Sequence, residues 1–167
     1  AVGHFNQDAV PDFFVSFAQG VWPDLSWTKQ AMINGKNGQI EYRDSLGYYQ
    51  TSSPVAVDLT GDGIEEVVLS VDYQILDDIG FKNFYSTLYA IDFTQKEAMP
   101  MVDGLPGHNV SSTPWVGDMD QDGFLDIVYC HGTNSKKTYT FDGLRVTRLK
   151  TTIPIVRPVK WGAYMGS

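Results

Sequence analysis

Carboxylates crowd the stretch VGDMDQDGFLDIVYC, where Asp118, Asp120, Asp122 and Asp126 take the first, third, fifth and ninth places of a loop counted from Asp118. Side chains at alternate positions of a tight loop converge on one point. That arrangement suits a hard divalent cation such as Ca2+, which takes roughly six to eight oxygens at roughly 2.3 to 2.6 Å. The main-chain carbonyl of Phe124, in seventh place, offers a further oxygen. Gly123, in sixth place, permits the sharp backbone reversal that a side chain would hinder.

The same pattern stands 60 residues earlier without a gap. In SSPVAVDLTGDGIEEVVLSV the corresponding ligands are Asp58, Thr60, Asp62, the Ile64 carbonyl and Glu66, with Gly63 at the turn. This set has three carboxylates against four, so weaker binding is expected there. A degenerate third copy lies in HFNQDAVPDFFVSF, with His4, Asn6, Asp8 and Asp12 in the equivalent places. His4 stands where the others have aspartate, and Ala9 stands where they have glycine. A left-handed alanine would cost about 1 to 2 kcal/mol if the loop needed one, which weighs against metal in this copy.

An EF-hand opens in the same way but needs a bidentate glutamate in twelfth place and flanking helices. Leu69 and Tyr129 occupy that place, and both flanks read as strands. Aspartate and glycine are also common in ordinary turns, which would account for one such loop. Two aligned copies with matching ligands and the same apolar run downstream favour a repeated cation site.

The elements that hold these loops read as short strands rich in Val, Ile, Tyr and Phe, separated by Gly, Asp and Asn. The middle unit supplies PVAVDL, EEVVLSVDY, STLYAID and EAMPM. The first supplies QAMIN, a GKNG turn and QIEYR; the third supplies KTYTF, a DG turn and LRVTRL. No window keeps a helical period. Three four-stranded units tile the chain over about residues 1–51, 52–111 and 112–157, and 158–167 reads as the start of a further one because RPVKWGAY echoes SPVAVDLT. The fold class expected is therefore all-β, and the architecture a β-propeller, since a sandwich has no reason to repeat a loop at this interval. Three blades cannot close a ring of about four to eight, so this chain is expected to be part of a larger propeller or to complete its ring with another chain.

The loops DLTGDGIEEVV and DMDQDGFLDIV resemble the calcium-binding loops of FG-GAP/VCBS repeats, the blades of integrin α-type propellers. That resemblance implies a calcium-stabilised propeller, typically extracellular or periplasmic, used for cell adhesion, for binding protein or carbohydrate ligands, or as a scaffold. Thr60, Glu66 and the His4/Ala9 loop depart from the commonest pattern of such repeats. INGKNGQIEYRDS also resembles the strand-turn-strand of quinoprotein-like blades.

Composition narrows the partners. With 20 acidic residues against 12 basic and a net charge of −8, no basic stripe is present to hold a phosphate backbone, so nucleic acid is not expected. No run approaches the roughly 18 apolar residues of a membrane span. The start AVGHFNQDAV lacks methionine, a basic segment and an apolar segment, as expected if a leader was removed or the chain begins inside a larger protein. Cys130, the lone cysteine, is expected to be an inert buried thiol, and the triplet at Asn109 to Ser111 would permit glycosylation.

No catalytic constellation stands out. His4, His108 and His131 are scattered and show no zinc spacing. Aromatic residues near loops, among them Trp22, Trp27, Tyr48, Tyr49, Phe81, Phe84 and Tyr85, serve either blade packing or recognition. LDDIGFKNFYST reads as the longest loop and the place for a functional insertion. The expected function is a non-catalytic, calcium-binding propeller segment acting as an extracellular interaction, adhesion or scaffold module. The alternatives are blades of a propeller-based enzyme, such as a polysaccharide lyase or quinoprotein, and a structural subunit of a multiprotein assembly.

Overall fold

A computed structural model of the chain describes residues 1–21, 24–48, 52–109, 111–134, 136, 142–156 and 158–159. The described residues form antiparallel strands and no helix, as the sequence predicts. The first sheet runs β1 (Val2–Gly3), β2 (Asp12–Val21), β3 (Asp24–Ile33) and β4 (Ile40–Asp44). The second runs β5 (Val55–Val57), β6 (Glu66–Leu76), β7 (Lys82–Asp92) and β8 (Glu97–Pro100), and β9 (Leu105–Pro106) also pairs with β7. The third runs β10 (Trp115–Gly117), β11 (Phe124–Gly132) and β12 (Leu144–Pro154).

Apart from β9, which returns to β7, neighbours in sequence pair with one another, so each sheet is a meander. The four strands predicted for the middle unit are all present. The third unit differs: LRVTRL lies directly beside β11, with Cys130 opposite Val146, and is the third strand of its sheet. The strand expected at 137–141 lies outside the described residues, as do 160–167 of the expected further unit. Beyond β12 the chain crosses toward the acidic loops, where the Ile155 amide donates to the Gly123 carbonyl over 3.0 Å.

LDDIGFKNFYST is not a long loop. Strands β6 and β7 pair without interruption out to Leu76 and Lys82, and the remaining turn is tied by the Asp77 carboxylate, which accepts from the Phe81 amide at 2.7 Å and the Ile79 amide at 3.2 Å. The charged and polar residues that suggest a loop belong to a hairpin whose strands run past the edge of the core.

Two cores separate the sheets. Phe14, Met32 and Tyr42 of the first sheet pack with Phe5 against Val67, Leu69, Val71 and Ile91 of the second. Val55, Val57, Val68 and Leu88, from the other face of the second sheet, pack against Val116, Leu125, Ile127 and Tyr129 of the third. Successive side chains of a strand point to opposite faces. Being covered on both, β6 carries the run VVLSV, buried without a break, whereas β12 is covered on one face and its side chains alternate between exposed and half-buried. The first strands meet at one side of the stack, β5 touching both β1 and β10.

Candidate cation-binding loops

Each of the three acidic loops joins the first strand of its sheet to the second. The residue before each loop pairs with the residue in its ninth place: Gly3 with Asp12, Val57 with Glu66, and Gly117 with Asp126. These ninth-place acids are all buried, at 0%, 2% and 1% exposure. Each caps the backbone amide in second place, with Phe5 donating to Asp12 at 3.1 Å, Leu59 to Glu66 at 2.6 Å and Met119 to Asp126 at 2.9 Å. The fifth-place aspartate accepts from the seventh-place amide in all three loops, at 2.8 to 3.0 Å.

The second and third loops share more. Asp58 accepts from the Gly61 and Gly63 amides, and Asp118 from the Asp122 and Gly123 amides. Left-handed backbone occurs at the fourth and sixth places of both, at Gly61 and Gly63 with φ of 76° and 91° and at Gln121 and Gly123 with φ of 60° and 86°. In the first loop neither Gln7 nor Ala9 has positive φ, so the anticipated alanine strain does not arise. That loop takes another course, in which the Asn6 amide oxygen accepts from the Asp8 backbone at 2.9 Å.

In the third loop, carboxylate oxygens of Asp118, Asp120 and Asp126 lie within 4.8 Å of one another. The fourth carboxylate, Asp122, faces the Lys150 ammonium at 2.7 Å instead. Two cations from β12 occupy this loop. Arg148 donates to both oxygens of Asp126 at 2.8 and 2.7 Å and also reaches Asp120 at 2.7 Å, while Lys150 reaches Asp120 at 2.8 Å. These hydrogen bonds hold the Asp120 carboxyl down at about 2 and lower that of Asp126. Arg148 and Lys150 were not singled out from the sequence. Their spacing in LRVTRLKTT puts them on one face of a strand, but only the pairing of Val128 with Arg148 and Asp126 with Lys150 places that face against the loop.

The corresponding place on the third strand differs in each sheet. Relative to the aligned pairs Phe13–Ile33, Val67–Ile91 and Ile127–Leu149, the next residue is Asn34, Asp92 and Lys150. The first loop is met by an amide, with Asn34 donating to Glu41 at 2.8 Å and to Asp8 at 3.4 Å. The third is met by a cation. The second is met by another carboxylate, and among the described residues no basic side chain pairs with Asp58, Asp62, Glu66 or Asp92. Burial first, and then the negative charges of Asp92 and Asp58, raise the Glu66 carboxyl to about 7 against the donated Leu59 amide. The Thr60 hydroxyl leans on the same carboxylate at 3.4 Å. All donors in both loops are hard oxygens, the chemistry that Ca2+ takes.

His4 lies against the second loop: its amide donates to the Glu65 carboxylate at 2.7 Å and its carbonyl accepts from the Glu65 amide at 2.8 Å. A cavity of about 120 Å³ opens there, bordered by His4, Asp58, Gly63, Glu65, Leu125 and Val156. The other histidines are buried at the junction of the second and third sheets. Among the described residues, both ring nitrogens of His108 and Nδ1 of His131 lack a hydrogen-bond partner, and burial lowers the pKa of each.

The remaining expectations divide. Trp27 stacks on Tyr48, with centroids 4.9 Å apart; Phe81 is exposed and Phe84 is core; Trp22 and Tyr49 lie outside the described residues. Cys130 is half-buried, and its thiol donates to the Ser112 hydroxyl at 2.6 Å. The Asn109 side chain is buried and bonded at both ends to the Ser112 main chain, so the folded chain does not present that amide for glycosylation. Compared with known proteins, this chain matches no family model, no curated protein and no solved structure.

Proposed function

We propose that this chain is a calcium-binding segment of β-propeller type that acts, without catalysis, as an extracellular interaction or scaffold module. The observation that carries the reading is the shared junction: three sheets each join their first two strands by an acidic loop closed at the same register by a buried ninth-place acid. The meandering sheets, stacked face on face with their first strands gathered on one side, support a blade-like arrangement. Asp58, Thr60, Asp62, the Ile64 carbonyl and Glu66 would hold one ion; Asp118, Asp120, Asp122, the Phe124 carbonyl and Asp126 would hold another. A bound cation would supply the positive charge that the second loop lacks among the described residues. Extracellular modules commonly bind Ca2+ with Kd of roughly 10⁻⁴ to 10⁻³ M, so such loops fill outside cells.

Excess EGTA is expected to lower the melting temperature, and a melting temperature that does not move would sink the proposal. At ten times Kd each site contributes about 1.4 kcal/mol. Glu66→Gln should abolish the share due to the second loop.

The third loop makes a separate prediction. Because Arg148 and Lys150 already neutralise it, calcium there competes with tethered cations. Arg148→Gln combined with Lys150→Gln should be less stable than the parent in EGTA and gain more from calcium. A double variant whose calcium response equals the parent's would remove the third loop from the set of sites.

A further inference from the structure

Among the described residues, exposed apolar side chains collect on one face of the first sheet and on one face of the third. On the second strand, the positions facing the preceding sheet hold Val67, Leu69 and Val71 in the second sheet and Ile127, Tyr129 and His131 in the third, all at most 4% exposed. In the first sheet the same positions hold Phe13, Val15 and Phe17, which are 48%, 38% and 54% exposed. The strand DFFVSF is apolar at every position of this outer face, as a strand covered on that face would be. Among the described residues nothing covers its outer side.

The third sheet shows the converse. Positions that face the following sheet hold Leu88 in the second sheet and Gln30 in the first, opposite Ser70 and Ser16 and nearly sealed at 0% and 1%. Their counterpart Val146, opposite Cys130, is 65% exposed, and Leu144 beside it is 56% exposed. Among the described residues, one chain thus carries an uncovered preceding-type face on its first sheet and an uncovered following-type face on its third, where Arg148 and Lys150 continue the face beyond Val146 toward the loop.

We propose that these faces pair between two copies of this chain, head to tail, so that the third sheet of each packs on the first sheet of the other. The inference rests on the propeller-type reading above and names the partner that completes it. The contact continues the interface already made twice inside the chain, with the same strand positions meeting. Two copies would close a ring of six sheets, within the range of about four to eight that propellers use. A head-to-tail contact closes a ring when its rotation fits and otherwise grows into open filaments, which makes the finite mass decisive.

The test is the mass of the whole chain in solution by light scattering, in calcium and in EGTA. The expected mass is twice that of one chain. Val15→Asp and Val146→Asp change exposed positions, so each variant should keep its sheet signal while losing the dimer. Mixed in equal amounts, the two should regain a dimer weaker than the parent's, held by the one contact in which both faces are intact, while the other contact joins two altered faces. A monomeric parent, assemblies that grow with concentration, a single variant that stays dimeric, or a mixture that stays monomeric would each overturn the proposal. A monomer whose melting temperature still responds to calcium would end the second-copy inference alone, and a dimer indifferent to calcium would end the calcium reading alone.

Discussion

Gly107→Ala is expected to destabilise the chain by about 3 kcal/mol or more, and to leave little folded protein if the parent is of ordinary stability. Gly107 follows β9 with φ of 112°, a conformation that side chains rarely adopt. A Cβ there would overlap the carbonyl of Gly132 at the end of β11, and backbone on both sides must then move. The displaced contact is structural in a wider sense. The Gly107 amide donates to the Phe84 carbonyl at 2.8 Å, and the Gly132 amide donates to the His108 carbonyl at 2.9 Å, so this pair of glycines joins the second sheet to the third. Gly80→Ala is the control, because Gly80 also has positive φ, at 83°, but its added Cβ would meet nothing within 4 Å. That change should cost only about 1 kcal/mol. Equal urea midpoints for the two variants would show that the junction does not depend on this close approach.

Asp72→Asn should stabilise the chain at pH 8 by on the order of 2 kcal/mol and have almost no effect at pH 4. Asp72 sits on β6 at 2% exposure, and burial raises its carboxyl to about 7, despite the Asn109 amide donating to both oxygens at 3.0 and 3.1 Å and a bond from Ser86. A carboxyl raised in the folded state holds a proton that the unfolded chain has already released. Its stabilising share is therefore full below about pH 4 and is lost as pH rises toward 7. Asparagine removes that loss and still offers an oxygen to Asn109. His108 and His131 act in the opposite sense, since the unfolded chain takes up protons below about 6.5 that their buried rings resist. The difference between variant and parent isolates Asp72 from them. A variant less stable than the parent at pH 8 would mean that its ionised form is held by contacts stronger than those described.

Between them these variants probe a junction that the primary structure hides. His108 and His131 stand scattered in the sequence as loop or packing histidines, and pairings between distant segments bring them to one buried boundary. The triplet at Asn109 looks like a glycosylation site, yet the same folding event turns its amide inward to Ser112. LDDIGFKNFYST looks like an insertion because its polar and glycine residues are those of turns, and the long hairpin emerges only once β6 and β7 are seen in register.

What the chain's own order of residues determined is local. Alternating carboxylates, a glycine in sixth place and the flanking β-branched runs specify a loop between two strands, because a loop of nine residues closes on itself whatever surrounds it. That is why the loops at Asp58 and Asp118 were legible together with the four strands of the middle unit, and the degenerate one at His4 only by alignment with them. What only the tertiary structure decided is which charges face those loops. Asn34, Asp92 and Lys150 stand at one equivalent place, and their chemistry runs from neutral to anionic to cationic. Strand register assigns each to its loop, and register is a property of paired strands that no single segment contains. The same holds for the uncovered faces of the first and third sheets: Phe13 and Val146 are apolar strand residues like their counterparts in the second sheet, and among the described residues only the stacking leaves them exposed.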